Sequence, residues 1–250
     1  AVGNESDRKL GVPGEELSGN HSATAFVGWY NGHPDHRDSD FDLSGERAAV
    51  IGVGNVAMDV TRILAEEPKN LAKTDIAHYA LEALEKSRIK EIYLLGRRGP
   101  AQAAYSPAEI KEIGDLESAD LVIDPAETAL DEVSRGELSD PAVKKNVDYV
   151  TTRAAAGTSG KPKKVILRFC VSPVEVMGEG GKVQFLKIEK NMLIPDGKGS
   201  VKAQGTGQYE MLPVSLVFRS VGYRGVPIPG VPFDERAGKI PNAEGRVLDL

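Results

Sequence analysis

Hydrophobic positions along the chain alternate between two spacings. Arg47-Ala-Ala-Val-Ile51 and Glu91-Ile-Tyr-Leu-Leu95 are short apolar runs that end in glycine, and Asp120 to Ile123 is a third run of the same kind. Such runs, bounded by turn residues, predict strands buried on both faces. Between them the spacing lengthens. Val56, Val60, Ile63 and Leu64 recur every three or four positions from Asn55 to about Glu66, which predicts a helix. A second helix is expected over 76–86, with Leu81 and Leu84 inward. A third is expected over 107–116, where Ser106 and Glu109 have capping-box spacing and Pro107 takes the first helical position. Strand, helix, strand, helix, strand predicts the α/β class, a Rossmann-like doubly wound sheet in three layers.

The second half of the chain reads differently. Pro125 breaks the pattern after the third strand, because proline cannot donate to a ladder. Small and polar residues lead through Glu132 to Lys145 into a loop or hairpin tip over 156–164. Val165 to Val176 and Val183 to Leu193 are strand-like and flank Gly178-Glu-Gly-Gly181, so an antiparallel β insertion is expected there. Leu212 to Val221 is another apolar strand, and Pro227, Pro229, Pro232 and Pro241 punctuate what reads as a crossing segment. At the other end, Ala1-Val-Gly3 reads as the tail of a strand and Gly11-Val-Pro-Gly14 as a turn. Asn31 to Asp40 reads as an exposed loop.

Composition narrows the classes. With 250 residues, 40% hydrophobic and 27% charged, the chain is ordinary globular material that can bury a core without staples. No apolar run approaches the ~20 residues of a membrane helix, and no basic-headed hydrophobic segment opens the chain. Neither a membrane span nor a secretory signal is expected. The single cysteine, Cys170, fits a reducing compartment, so a cytoplasmic location is expected. A net charge of −6 and 6% aromatic residues argue against a nucleic-acid partner.

The chemistry concentrates at the end of the first strand. Gly52-Val53-Gly54-Asn55-Val56-Ala57 matches the dinucleotide fingerprint, with alanine as the third small residue. The first glycine permits the tight turn, the second leaves room for a pyrophosphate, and the small third residue lets the helix pack on the strand. The helix N-terminus then offers free N–H groups to phosphate. At the end of the second strand, an acidic residue would bond the ribose of NAD, but Arg97 and Arg98 stand there. A guanidinium fork binds the 2′-phosphate that a carboxylate would repel, so the cofactor expected is NADP(H). Arg97 follows Gly52 by 45 positions rather than about 20, an excess that the helix over 76–86 accounts for.

Other candidates carry less. His33 and His36, with Asp35, Asp38 and Asp40, match no closed zinc spacing and read as a solvated loop. Cys170 has no second thiol nearby and reads as a core residue of a strand. Gly160-Lys161 lacks the hydroxyl residue and preceding strand of a phosphate loop. Glu109 and Glu112 lie one turn apart, and by spacing alone they are surface residues.

Taken together, these residues resemble a known family. Gly52 to Leu64, Gly96-Arg-Arg-Gly-Pro-Ala-Gln102, Ser220-Val-Gly-Tyr-Arg224, Phe26-Val-Gly-Trp-Tyr-Asn31 and the opening 1–14 are similar to the adrenodoxin-reductase type of ferredoxin–NADP⁺ reductase, in its bacterial members. The resemblance implies an oxidoreductase that passes electrons between NADPH, FAD and an iron–sulfur protein such as ferredoxin. It implies that Gly52, Val53, Gly54, Asn55 and Val56 hold the pyrophosphate, and that Arg97 and Arg98 hold the 2′-phosphate. Glu109 and Arg8 match residues near the bound nucleotide. Glu112 matches a carboxylate that faces a flavin-proximal histidine and is the expected catalytic residue.

The family's FAD domain is discontinuous, an N-terminal part with its own Gly-rich fingerprint and a C-terminal part with a Gly-Trp segment, and neither part is expected within these residues. Gly205-Thr-Gly207-Gln-Tyr-Glu210 has glutamate at the third small position. Residues 1–250 are therefore expected to be one NADP(H)-binding domain, inactive without its flavin partner, with 1–14 and 221–250 as connections to it. Two other readings stay open: the NADP-binding part of an amidotransferase-linked, flavin-dependent electron-input reductase, and a catalytically silent NADP-binding sensor module.

Overall fold

Short apolar runs must hand their backbone N–H and C=O groups to neighbouring strands, because no water reaches them. The computed structural model, which describes residues 6–197 and 199–248, shows where those groups go. The expectation for Ala1 to Gly3 lies outside the described residues. The first half comprises β1 (Ser6–Asp7), β2 (Asn20–Ser22), α1 (Ala23–Tyr30), β3 (Arg47–Ile51) and α2 (Asn55–Ala65). It continues with α3 (Pro68–Leu71), α4 (His78–Glu85), β4 (Glu91–Leu95), α5 (Pro107–Asp115) and β5 (Ala119–Ile123). The second half holds α6 (Glu132–Gly136), α7 (Pro141–Ala156), β6 (Lys163–Arg168), β7 (Val171–Glu179) and β8 (Lys182–Pro195). It closes with β9 (Val201–Pro213), β10 (Leu216–Arg219), β11 (Tyr223–Arg224), β12 (Asn242–Ala243) and β13 (Arg246–Val247).

Six strands form one sheet in the order β2-β10-β3-β4-β6-β5, and every pairing in it is parallel. Alternate residues of these strands face two cores. Ala48, Val50, Ile92, Leu94, Leu121, Val165, Leu167 and Phe218 pack against the buried faces of the helices. Ala49, Ile51, Leu95 and Val217 point the other way. They pack on Val171, Val176, Val183, Leu186, Ile188 and Leu212 of a second sheet, antiparallel, in the order β7-β8-β9. The α/β class with an antiparallel insertion is thus present, and the insertion is itself the third layer. No helix of the described residues is long and apolar enough to cross a membrane.

Several elements differ from the sequence expectation. The stretch Val165 to Val176 is not one strand of a hairpin. It breaks at Phe169-Cys170, where Cys170 takes a left-handed φ of 54°. The part before the break enters the parallel sheet between β4 and β5, and the part after it opens the insertion. Leu212 to Val221 likewise splits at Val214-Ser215, with Leu212 and Pro213 closing β9 and Leu216 opening β10. The segment around Gly205 to Glu210 is the body of β9, the insertion's third strand. Helix α7 lies where only a polar connection was expected. Its buried stripe is thin (Asn146, Val147, Val150, Ala154), and Asp140 caps it by accepting from Ala142 N and Val143 N.

Asp120 shows how the edge of the sheet is closed. It is buried on β5, and its carboxylate accepts from the hydroxyl and N–H of Ser159 and from the N–H groups of Gly160 and Lys161. Burial alone would raise its pKa, but these hydrogen bonds outweigh it and hold the group at about 2. A folded-state pKa below the unfolded value stabilises the fold above the unfolded pKa, and that contribution disappears as pH falls through the folded pKa. Asp120→Asn would turn a donor toward two backbone N–H groups. In urea titrations the substitution is expected to lower the unfolding midpoint at pH 7. The gap from the unmodified chain should narrow as pH falls from about 4 toward about 2. A pH-independent gap would show that the charge is not what the loop binds.

Candidate dinucleotide site

Strands β10, β3, β4 and β6 are parallel, so the residues that leave them converge at one edge of the sheet. Gly52 leaves β3 with φ 123°, and a Cβ there would stand 2.1 Å from the carbonyl oxygen of Ser220, which follows β10. Gly52 N donates to the Leu95 carbonyl at 2.9 Å, and Ser220 N donates to the Ile51 carbonyl at 2.8 Å. The turn is locked across three strands. Gly54 differs. Its φ of −105° suits any residue, and a Cβ built on it would meet nothing within 4 Å. The fold itself has no steric need for glycine at 54.

Helix α2 starts at this point with Gly54 as its N-cap, and no side chain caps it. Met58 N makes the first intrahelical bond, to the Gly54 carbonyl at 3.1 Å. The N–H groups of Asn55, Val56 and Ala57 precede that bond and add to the positive end of the helix. Asn55 does not cap the helix with its side chain. Its Oδ1 accepts from Ser106 N at 2.9 Å, while the Val53 carbonyl accepts from Ala104 N at 2.9 Å. The segment after the arginine pair is therefore stitched to the fingerprint turn. The expected capping box is only half formed: Ser106 Oγ accepts from Glu109 N at 3.3 Å, but Ser106's own N–H goes to Asn55.

Arg97 is exposed and Arg98 half-buried in the loop after β4. Their backbone is fixed: the Arg97 carbonyl accepts from Asn191 Nδ2 at 2.9 Å and the Arg98 carbonyl from Cys170 N at 3.0 Å. Neither guanidinium has a hydrogen bond or ion pair among the described residues. Two free forks on a held backbone are suited to an incoming phosphate.

The other expected residues lie on two flanks. Arg8 follows β1, and its N–H donates to the Gly222 carbonyl at 3.0 Å and its Nε to the Tyr223 carbonyl at 3.2 Å. That puts it two residues from the Ser220 carbonyl that covers Gly52. Glu109 and Glu112, on α5, gather with Asp59 around Arg62 of α2. Arg62 is 3.1 Å from Asp59 and 3.9 Å from Glu112. Burial, then Asp59 and Glu112, push the Glu109 pKa above the ordinary carboxylate range, and Arg62 opposes them. Glu112 remains 60% exposed.

Cys170 is not a strand residue. It sits at the left-handed corner between β6 and β7, and burial, then Glu127 and Asp131, push its thiol up to about 11. His33 is exposed and His36 half-buried, and no group of His, Cys, Asp and Glu among the described residues could hold a metal. Two residues of the site had no sequence signal beyond being polar in apolar strands. Asn191 is one. Arg219 is the other: it is half-buried and pairs with Asp7 at 3.2 Å and Glu15 at 3.4 Å.

No family model matches the chain. Known proteins do. The chain is 47% identical over 251 residues to NADPH-ferredoxin reductase FprA of Mycobacterium tuberculosis, covering 99% of itself and 54% of that protein. It is 40% identical to the mitochondrial NADPH:adrenodoxin oxidoreductase of Bos taurus, covering 100% of itself and 53% of that protein. The solved structure of Mycobacterium tuberculosis FprA in complex with NADPH matches with a TM-score of 0.93 at 47% identity, over 99% of this chain and 54% of that one. The chain spans about half the length of these relatives. Along that half, the chain is similar to ferredoxin–NADP⁺ reductases of the adrenodoxin-reductase type, bacterial FprA among them.

Proposed function

We propose that this chain is the NADP(H)-binding domain of a flavin-dependent ferredoxin–NADP⁺ reductase, an oxidoreductase that passes electrons between NADPH, FAD and an iron–sulfur protein. The observation that carries the reading is one juxtaposition. An uncapped helix N-terminus with open space at Gly54 is tied, through Val53, Asn55, Ala104 and Ser106, to the loop that bears two free guanidinium groups. Those features fit a dinucleotide that carries an extra phosphate on its ribose.

In this reading the N–H groups at 55–57 bind the pyrophosphate, and Arg97 and Arg98 bind the 2′-phosphate. Bound NADPH supplies the hydride. The chain's own residues fix the adenosine end, which leaves the nicotinamide to be presented outward. Arg8 and Glu109 flank the dinucleotide, and the exposed carboxylate of Glu112 is available to a neighbouring domain. FAD is placed outside these residues in this reading, which the position of Gly205 to Glu210 supports: that Gly-x-Gly stretch lies in β9 and starts no helix. Residues 1–14 and 221–250 serve as connections to a flavin-binding part, which the pairing of Ser6 and Asp7 with Arg224 and Tyr223 supports. A cytoplasmic location belongs to the same reading and rests on the lone cysteine.

Arg97→Ala is expected to weaken NADP⁺ binding by roughly 1.5–3 kcal/mol in calorimetric titration, the range for a hydrogen bond to a charged group, and to leave NAD⁺ binding alone. Equal affinities for the two dinucleotides in the unmodified chain would sink the assignment. Gly54→Ala and Gly52→Ala should part company. The first is expected to keep the melting temperature, because its Cβ enters open space, yet to lose dinucleotide affinity. The second should unfold at lower temperature, because its Cβ meets the Ser220 carbonyl. Mixed with FAD and desalted, the chain is expected to stay colourless. Retained yellow flavin would put the second nucleotide site inside residues 1–250.

A further inference from the structure

The antiparallel insertion touches the arginine loop at every peptide from 96 to 98. Val171 N donates to the Gly96 carbonyl at 3.0 Å, Asn191 Nδ2 to the Arg97 carbonyl at 2.9 Å, and Cys170 N to the Arg98 carbonyl at 3.0 Å. Of these three contacts, one comes from a side chain. Asn191 is only 7% exposed and lies on β8, whose inward neighbours Leu186 and Ile188 are aliphatic. A buried amide in such a strand costs free energy unless its groups are bonded. Both N–H bonds of this amide are used, one on Arg97 and one on Ser172 Oγ at 2.8 Å, and Asn191 N donates to the Cys170 carbonyl at 2.7 Å.

Two irregularities bring the amide there. The β8–β9 register shifts between Glu189 and Asn191, and Cys170, the residue Asn191 bonds, takes a left-handed conformation that few non-glycine residues adopt. Neither is needed to cover the second face of the parallel sheet, which Leu186, Ile188 and Leu212 do by simple alternation. Both occur where the insertion meets the loop of Arg97 and Arg98. Strained or irregular backbone that clusters at one place points to a geometric demand made there.

We propose that Asn191 is a positioning residue for dinucleotide specificity. By holding the Arg97 carbonyl it fixes the loop from which the two guanidinium groups reach the 2′-phosphate, and so sets the preference for NADP(H) over NAD(H). It need not touch the cofactor. This assignment rests on the NADP(H) reading above, and it gives the insertion a second task besides covering the core. Loss of the amide leaves the Arg97 carbonyl without its partner and lets the loop sample orientations in which the guanidinium groups no longer converge.

The test compares Asn191→Ala, Asn191→Ser and Arg97→Ala in the full 250-residue chain, titrated with NADP⁺ and NAD⁺ at several salt concentrations, with thermal melting alongside. Serine keeps a polar group for Ser172 but is too short to reach Arg97. Both Asn191 variants are expected to lose about tenfold in NADP⁺ affinity, the scale of one charge-assisted contact, and to flatten its salt dependence. NAD⁺ affinity should stay within about twofold, because that ligand makes no 2′-phosphate contact. An equal loss for both ligands, unchanged NADP⁺ binding, or failure of both variants to fold would overturn the proposal, since the amide would then serve the fold alone. Arg97→Ala separates the two ideas. If the unmodified chain shows no NADP⁺ preference, or Arg97→Ala leaves it intact, the cofactor reading fails; if only the Asn191 variants leave it intact, the positioning role fails.

Discussion

A side chain at position 52 would place its Cβ 2.1 Å from the Ser220 carbonyl oxygen, so the exits of β3 and β10 can lie side by side only if residue 52 is glycine. Much else hangs on that approach. Arg219, one residue before Ser220, is held in place to pair with Asp7 and Glu15, and Glu15 in turn accepts from the N–H groups of Leu10 and Gly11. With its side chain only 13% exposed, this guanidinium is largely withdrawn from water, and the two carboxylates offset that desolvation. The same geometry lets the chain beyond Gly222 return against Ser6 and Asp7. The turn that would receive a pyrophosphate and the ribbon that gathers the two crossing segments are therefore one mechanical unit.

What the sequence made legible was local. Gly52 to Ala57, the strands on either side of the fingerprint and the helix after it follow from spacings within a dozen residues, and the structure has them within a residue or two. Ser106 and Pro107 likewise announced α5. The failures are non-local. Strand β6 enters between β4 and β5, and nothing in Lys163 to Arg168 distinguishes that partner from the hairpin that follows. Strand β9 is exposed over most of its length, so it lacks the alternation that marks a half-buried strand. Helix α7 hides behind a stripe whose first member is asparagine, and the Nδ2 of that residue donates to the Tyr105 carbonyl 41 residues away. Asn191 was silent for the same reason: its meaning lies in a bond to Arg97, 94 residues earlier.

The third layer explains why coverage of the core and the chemistry of the loop cannot be separated. A doubly wound sheet usually covers its second face with helices, which attach to strand ends through loops of their own. Here the cover begins at Val171, directly beyond the C-terminal end of β6, which is the edge where ligands bind in such sheets. An antiparallel sheet that starts there must pass the loop after β4 before it reaches Ala49, Ile51 and Val217. Burial of Val183, Leu186 and Ile188, each worth about 1.5–3 kcal/mol against exposure, anchors it firmly. That anchoring is transmitted along β8 to Asn191, five positions beyond Leu186 and on the same chain. Free energy gained from apolar burial on one face thus restricts the backbone that carries Arg97 and Arg98.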